Sequence, residues 1–335
     1  MLSVEENPDS RVLSDFVSSH LQGNFFQTPE LFELYKKTDF YEPTLVSLKD
    51  ESDGLVASLL SVIQKENLPL ISGLTARSIS WGGPLLPKEN TIKVLETLLE
   101  AYNSLIQGRS LYTEFRNLYP MLEFKPAFKN KGYDYNPHLD IHVDLTRGLD
   151  SLWDGLSKSK RRCIRKAREQ GVEVVDSNDI GEIKDFYILL KEFYSGIVKK
   201  PLPSWSFFNK AFEILKPKGM LKYFLVKYNN EVIGGIMCPI YNGIIYEWYV
   251  YGDRNHSRQY PSEIATWAPI EWGVENNQHT FDFFGAGSPH EDYGVRKFKQ
   301  DFGGETLELG RFRKIHHPMK MKLANAGFNI YRRIV

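Results

Sequence analysis

Cysteine is nearly absent: Cys163 and Cys238 are the only two in 335 residues. That excludes a disulfide framework and a cysteine-based zinc site, and suits a reducing compartment. Net charge is absent too, with 42 Lys+Arg against 42 Asp+Glu. A nucleic-acid binder driven by overall charge is excluded, so any anion site must be a local cluster. No run approaches the ~20 apolar residues of a membrane span. The N-terminal stretch with Glu5, Glu6 and Asp9 lacks the apolar core of a signal peptide. A soluble, cytoplasmic chain is expected. Neither GxxxxGK[ST] nor a strand-linked GxGxxG occurs, which removes P-loop hydrolysis and Rossmann redox chemistry. Around Ser288-Pro289-His290-Glu291-Asp292 there is no second histidine at HExxH spacing, so this segment reads as a loop over a cleft and no metal is expected.

What is present is apolar material for two cores, at 42% hydrophobic and 13% aromatic residues. The chain also repeats itself. Strands at 43–48 and 55–62 around a turn precede a strand at 78–84, a helix at 89–106 and a strand at 111–115. The same order returns as strands at 223–228 and 232–241, a strand at 244–251, a helix at 262–275 and a strand at 280–284. Even Lys131-Gly132-Tyr133 before 139–145 mirrors Phe302-Gly303-Gly304 before 306–309. Self-similarity over about one domain length indicates duplication. The expected fold is α+β: two tandem domains at 1–147 and 148–312, each a mostly antiparallel mixed sheet flanked by helices, then a basic amphipathic tail at 313–335.

Four segments carry candidate chemistry. In Tyr293-Gly294-Val295-Arg296-Lys297-Phe298-Lys299-Gln300-Asp301-Phe302-Gly303-Gly304, cations alternate with aromatics before a double glycine. Phe298 and Phe302 at helical spacing read equally as core anchors or as a wall beside Lys299. The densest positive charge is 157–168, expected as one helix capped by Asp150 or Ser151 and ended by Gly171, with Lys158, Arg161, Arg165 and Arg168 along one face. That face is either solvated or a phosphate-binding surface. Lys199-Lys200-Pro201-Leu202-Pro203-Ser204-Trp205 is a loop stiffened by two prolines. Glu247-Trp248-Tyr249-Val250-Tyr251-Gly252 is a strand with aromatics on both faces, read as core or as a ligand wall.

The order hairpin, strand, helix, strand resembles the GNAT acyltransferase fold, and its double occurrence resembles the Fem-type aminoacyltransferases and their FemAB-like relatives over roughly 23–312. The resemblance implies that Phe298 and Lys299 match the Phe-Lys pair implicated in catalysis, with the cation near the developing oxyanion. It implies that Lys200 matches a cation meeting the diphosphate of a lipid-linked or nucleotide-linked peptidoglycan precursor, and that Tyr249 and Tyr251 line an acyl-donor tunnel. Lys36, Arg116, Lys158, Arg161, Arg165, Arg258 and Ser262 complete the candidate substrate-binding set.

Three features depart from the pattern. The turn 254–262 has no glycine where CoA-dependent relatives cradle the pyrophosphate, although Ser262 opens a helix that can receive a phosphate. Arg116 stands where the bridge-forming members carry an acid, and becomes a candidate carboxylate or phosphate clamp. A coiled-coil arm is missing. The implied activity is amide formation on an amine of a cell-envelope precursor, with aminoacyl-tRNA as co-substrate and no tightly bound cofactor. The alternatives are a CoA-thioester-dependent N-acyltransferase acting on a sugar or amino acid, and a non-catalytic binding protein of the same fold. The basic tail, with Arg313, Lys314, Lys320, Lys322, Arg332 and Arg333, reads as a disordered end, a packed helix or a segment touching the inner face of the membrane.

Overall fold

A computed structural model describes residues 2–66, 74–89, 91–199 and 201–334. The chain folds as two compact units, the first made of 1–138 and 308–334 and the second of 139–307. The first unit begins with β1 (Ser3–Glu6), α1 (Ser10–Ser19), α2 (Pro29–Lys36), β2 (Tyr41–Lys49) and β3 (Leu55–Gln64). It continues through β4 (Arg77–Trp81), α3 (Thr91–Ile106), β5 (Tyr112–Arg116), α4 (Lys125–Asn130) and β6 (Asp134–Asn136). The second unit opens with β7 (Leu139–Asp144), α5 (Leu149–Gly155), α6 (Lys158–Glu169), β8 (Glu173–Asp176), α7 (Ile180–Phe193) and α8 (Trp205–Leu215). There follow β9 (Leu221–Tyr228), β10 (Glu231–Tyr241), β11 (Ile244–Tyr246), β12 (Tyr249–Gly252), α9 (Pro261–Glu275), β13 (Thr280–Asp282), α10 (Gly294–Gln300) and β14 (Glu305–Glu308). The chain then returns to the first unit with β15 (Arg311–Ile315) and α11 (Pro318–Ile334).

The strand orders are β1-β2-β3-β4-β5-β15-β6 and β14-β7-β13-β11-β10-β9-β8, with β12 also on β10. Each sheet therefore holds a hairpin, a third strand, and a fourth strand parallel to the third: β4 with β5, and β11 with β13. A parallel neighbour requires a crossover, which α3 and α9 supply. The duplication expected from the sequence is present in the strand order.

The expected boundaries at 147/148 and 312/313 shift to 138/139 and 307/308 for a physical reason. Each half exchanges its last strand: β7 pairs with β13 of the second unit, and β15 pairs with β5 and β6 of the first. Hence 313–334 is not a free tail. Its first residues complete β15, whose Phe312 is fully buried, and Pro318–Ile334 form α11. Among the described residues no helix is long and apolar enough to cross a membrane.

Local chemistry explains the elements that frame the site. α3 buries Val94, Leu95, Leu98, Leu99, Tyr102 and Ile106, a 3-4 spaced stripe that packs into the first core. β9 and β10 are buried along most of their length, so they read as continuous apolar runs rather than alternating ones. The single helix expected across 150–171 is two. Ser157 is extended (φ −58°, ψ 150°) and its hydroxyl accepts from Lys160 N, capping α6 after α5 has ended. The double glycine turns the chain into β14: Gly304 has φ +96°, and a Cβ there would stand 2.7 Å from His142 O.

Candidate active site

The strand expected at 244–251 is interrupted. β11 pairs with β10 through Ile240 and Tyr241, whereas β12 pairs with β10 through 234–237. Between them, Trp248 N donates to Met237 O at 3.1 Å, and Glu247 N donates to Asp282 O at 2.9 Å. The break turns the Glu247 side chain into the interior, where the residue is only 5% exposed. Its Oε1 lies 2.9 Å from Lys299 Nζ. Its Oε2 is buried without a hydrogen-bond partner. Burial raises the Glu247 pKa, and the Lys299 charge and hydrogen bond oppose that rise.

Lys299 is buried as well, in α10. Beyond Glu247 it donates to Phe283 O at 2.6 Å and Gly285 O at 2.9 Å. An ammonium has three protons, and all three are committed. The sequence reading placed this cation beside a developing oxyanion; the structure places it as the holder of a buried carboxylate. Phe298 sits one residue earlier, half-buried, with Lys160 Nζ 3.6 Å from its ring centroid. Lys160 in turn pairs with Glu263 at 3.0 Å.

The duplication supplies an internal comparison. Gly132 N bonds Lys129 O as Gly303 N bonds Gln300 O, so Lys299 of α10 stands where α4 carries Phe128. Phe128 is wholly buried in the first core, and Lys299 is buried at the equivalent place of the second unit. A cation at a core position needs a partner inside, and Glu247 supplies it.

The segment 282–285 joins this pair to a second titratable group. Asp282 on β13 lies opposite His142 on β7, with Oδ2 at 3.4 Å from Nε2, an ion-pair distance outside hydrogen-bond geometry. Asp140 Oδ1 accepts from Ile141 N and Gly285 N, both at 2.8 Å, and Asp282 Oδ1 accepts from Phe284 N at 2.6 Å. Burial, then the Asp282 charge, pushes Asp140 up to about 7. His142 rises to about 8: burial opposes, but Asp282 and Asp140 outweigh it. Donor atoms of these three lie within 4.8 Å of one another, close enough to seat a divalent ion among the described residues. With one oxygen of each carboxylate held by the backbone and His142 facing Asp282, the group reads as a proton-sharing cluster.

Aromatic rings line the same part of the unit. Tyr249 packs on Phe208 at 5.2 Å, and Tyr251 stacks on Phe193 at 4.6 Å between centroids. Burial, then Tyr293 and Glu247, raises Tyr194 to about 12, so Tyr194 lies within electrostatic reach of the Glu247 carboxylate.

The remaining sequence candidates fall as follows. Lys158, Arg161 and Arg165 border one shallow groove of about 320 Å³ with Arg162 and Lys166. Arg161 is partly spent on Asp154 O at 2.8 Å, Arg165 lies over Trp153, and Arg168 leaves the face to pair with Glu271 at 2.6 Å. Arg258 is exposed in a short helical turn, Arg254–Gln259. Ser262 is in the first turn of α9, where Gly252 packs so closely that a Cβ would stand 2.4 Å from Ser262 N.

In the first unit, Lys36 is exposed at the end of α2. Arg116 is not an open clamp: Nε binds Glu114 at 2.6 Å and the guanidinium lies 4.3 Å over Trp81. Lys200 lies outside the described residues. A cavity of about 740 Å³ in the first unit, bordered by Leu86, Ile92, Tyr119 and Phe124, contains none of these candidates.

Residues 156–295, from just after α5 to the start of α10, match the model of an acetyltransferase (GNAT) domain. Among solved structures, FemX is similar over 96% of this chain and 100% of its own, at TM-score 0.72 and 14% identity. The chain has a tandem GNAT-like fold, similar to that of FemX. L-PGS from Bacillus licheniformis is similar at TM-score 0.57 and 15% identity, covering 95% of this chain and 96% of that one. A tandem GNAT protein from the clavulanic acid biosynthesis pathway is similar at TM-score 0.58 and 9% identity, over 93% and 98%. No curated protein sequence matches. The acetyltransferase domain matched by 156–295 includes Glu247 and ends just before Phe298 and Lys299.

Proposed function

We propose that the second unit transfers an acyl group to an amine, with Glu247 as general base. The observation that carries this reading is the buried Oε2 of Glu247, unpartnered at a strand break while Lys299 holds Oε1. An amine attacks the carbonyl carbon of an activated ester, the C–N bond forms, and the C–O bond breaks. The nitrogen must lose a proton and the leaving oxygen must gain one. Glu247 Oε2 takes the first and returns it as the second, so the carboxylate is regenerated. Lys299 is then a positioning residue that keeps Glu247 oriented and charged, and Tyr249, Tyr194 and Tyr251 wall the site from water.

For the donor we propose aminoacyl-tRNA, and for the acceptor the amine of a lipid-linked or nucleotide-linked cell-envelope precursor. Two features support this. The start of α9, where a CoA pyrophosphate would sit, has Pro261 without an N–H and Glu263 in the first turn, both adverse to an anion. The groove along α6 sets five cations, among them Lys158, Arg162 and Lys166, against one acid, Glu169, an excess of positive charge that suits a polyphosphate backbone. The second reading, an acyl-CoA donor, is favoured by the acetyltransferase model that 156–295 match. Calorimetric titration with CoA beside filter binding of charged tRNA over a salt series separates them. Steeply salt-dependent tRNA retention without CoA binding supports the first reading; micromolar CoA binding without tRNA retention replaces it with the second.

A further inference from the structure

We infer that the first unit binds a phosphate-type anion in a pocket at the start of α11, lined by Lys65, Arg109, Ser110, His317 and Lys320. The pocket encloses about 250 Å³, room for a phosphoryl group and part of the molecule carrying it. Its three cations come from three places in the chain: Lys65 follows β3, Arg109 lies in the turn between α3 and β5, and Lys320 is in α11. One carboxylate, Glu42 on β2, faces them. It pairs with Lys65, and with Arg109 Nη2 at 3.4 Å, so the pocket lining carries three positive groups and one negative.

Charge alone would describe a solvated surface, but two further observations point to a ligand. Ser110 is 2% exposed, and its hydroxyl has no hydrogen-bond partner. His317 Nε2 is likewise buried and unpartnered. Both border the pocket. Buried polar groups are nearly always satisfied, and an anion's oxygens accepting from both would satisfy these.

The second observation is the helix start. Met321 N bonds His317 O at 2.9 Å, so the N–H groups of Met319 and Lys320 precede the first intrahelical bond. A helix N-terminus favours acids, yet the first turn of α11 has none and carries Lys320 instead. A cation at the positive end of a 17-residue helix is adverse by itself, and becomes favourable once an anion sits between them.

The test uses the full chain. Inorganic phosphate is titrated calorimetrically at low salt into wild type, Arg109→Ala and Lys320→Ala, with Lys129→Ala as an exposed control in the same unit. Each pocket variant should weaken binding about tenfold, in line with the loss of one charge-assisted contact, while Lys129→Ala binds as wild type does. A second arm measures cosedimentation with vesicles of equal parts phosphatidylglycerol and phosphatidylcholine, against phosphatidylcholine alone. Vesicle retention that falls in the same two variants assigns a lipid headgroup as the source. A phosphate effect without a vesicle effect assigns a soluble phosphate ester, and either result supports the site. No phosphate binding, or equal affinity in wild type and both pocket variants, overturns it.

Discussion

Replacing Lys299 by methionine keeps most of its volume and removes its charge. Glu247 then keeps a buried carboxylate whose only described ion-pair partner, at 2.9 Å, is gone. Removing one member of a buried pair costs about 3–5 kcal/mol, because the other charge is left uncompensated. At an effective dielectric near 20, two charges at that separation attract by roughly 6 kcal/mol before desolvation is subtracted, so the range is consistent. Urea unfolding should report this loss. The same change drives the Glu247 pKa further up, since burial is no longer opposed, and a protonated carboxyl cannot act as a base. Transfer should fall about 100-fold to 10,000-fold, the usual worth of a positioned acid or base. The double variant Glu247→Gln with Lys299→Met has no buried charge at this pair, so it should regain most of the stability and none of the turnover. That split separates structure from catalysis. A double variant that regains activity along with stability would refute the assignment of Glu247 as base.

Four further outcomes follow from the same geometry. If Glu247 is the base, the rate of transfer rises with pH as its carboxylate ionises, with a midpoint above that of an ordinary glutamate, and Glu247→Gln flattens that limb in a pH–rate profile. Asp140 is raised from 3.8 to about 7, so the folded state favours its protonated form; that stability is present below pH 3.8 and lost as pH rises through about 7. His142, raised from 6.5 to about 8, adds stability in the same direction, lost as pH climbs through 8, and denaturation of Asp140→Asn across pH 4 to 9 should show a flatter dependence than wild type. Lys129→Ala, on the exposed face of α4 in the first unit, should change unfolding free energy by no more than about 0.5 kcal/mol, as an exposed substitution does, in contrast to the buried Lys299. Combined Lys158→Ala and Arg162→Ala should lower the salt slope of tRNA retention by about two, one per lost phosphate contact, and an unchanged slope would place the tRNA elsewhere.

The sequence made the repeated hairpin, strand, helix, strand order visible because each element is set by local periodicity. It misplaced the unit boundaries because strand exchange is non-local: nothing near Leu139 or Arg311 says which sheet a strand will join. The basic segment was legible as charge, but not its division. Lys160 faces inward to Glu263 only because Ser157 restarts the helix at α6. Lys299 was found by its resemblance to a family pair, yet its neighbour Glu247 was read as the edge of an aromatic strand. A continuous β pattern hides a break whose cause is pairing with β10 in two registers. The Asp140, His142 and Asp282 cluster left no signal, since two of its members are separated from the third by more than a hundred residues and meet only through the β7–β13 ladder.

The most direct test of the account is mass spectrometry of an amine acceptor, a nucleotide-linked peptidoglycan precursor, incubated with charged tRNA and with acetyl-CoA in parallel. Wild-type protein should add one aminoacyl mass from charged tRNA through an amide stable to mild base, and Glu247→Gln should reduce that product at least about 100-fold. Transfer by Glu247→Gln at the wild-type rate, from either donor, would contradict the central claim.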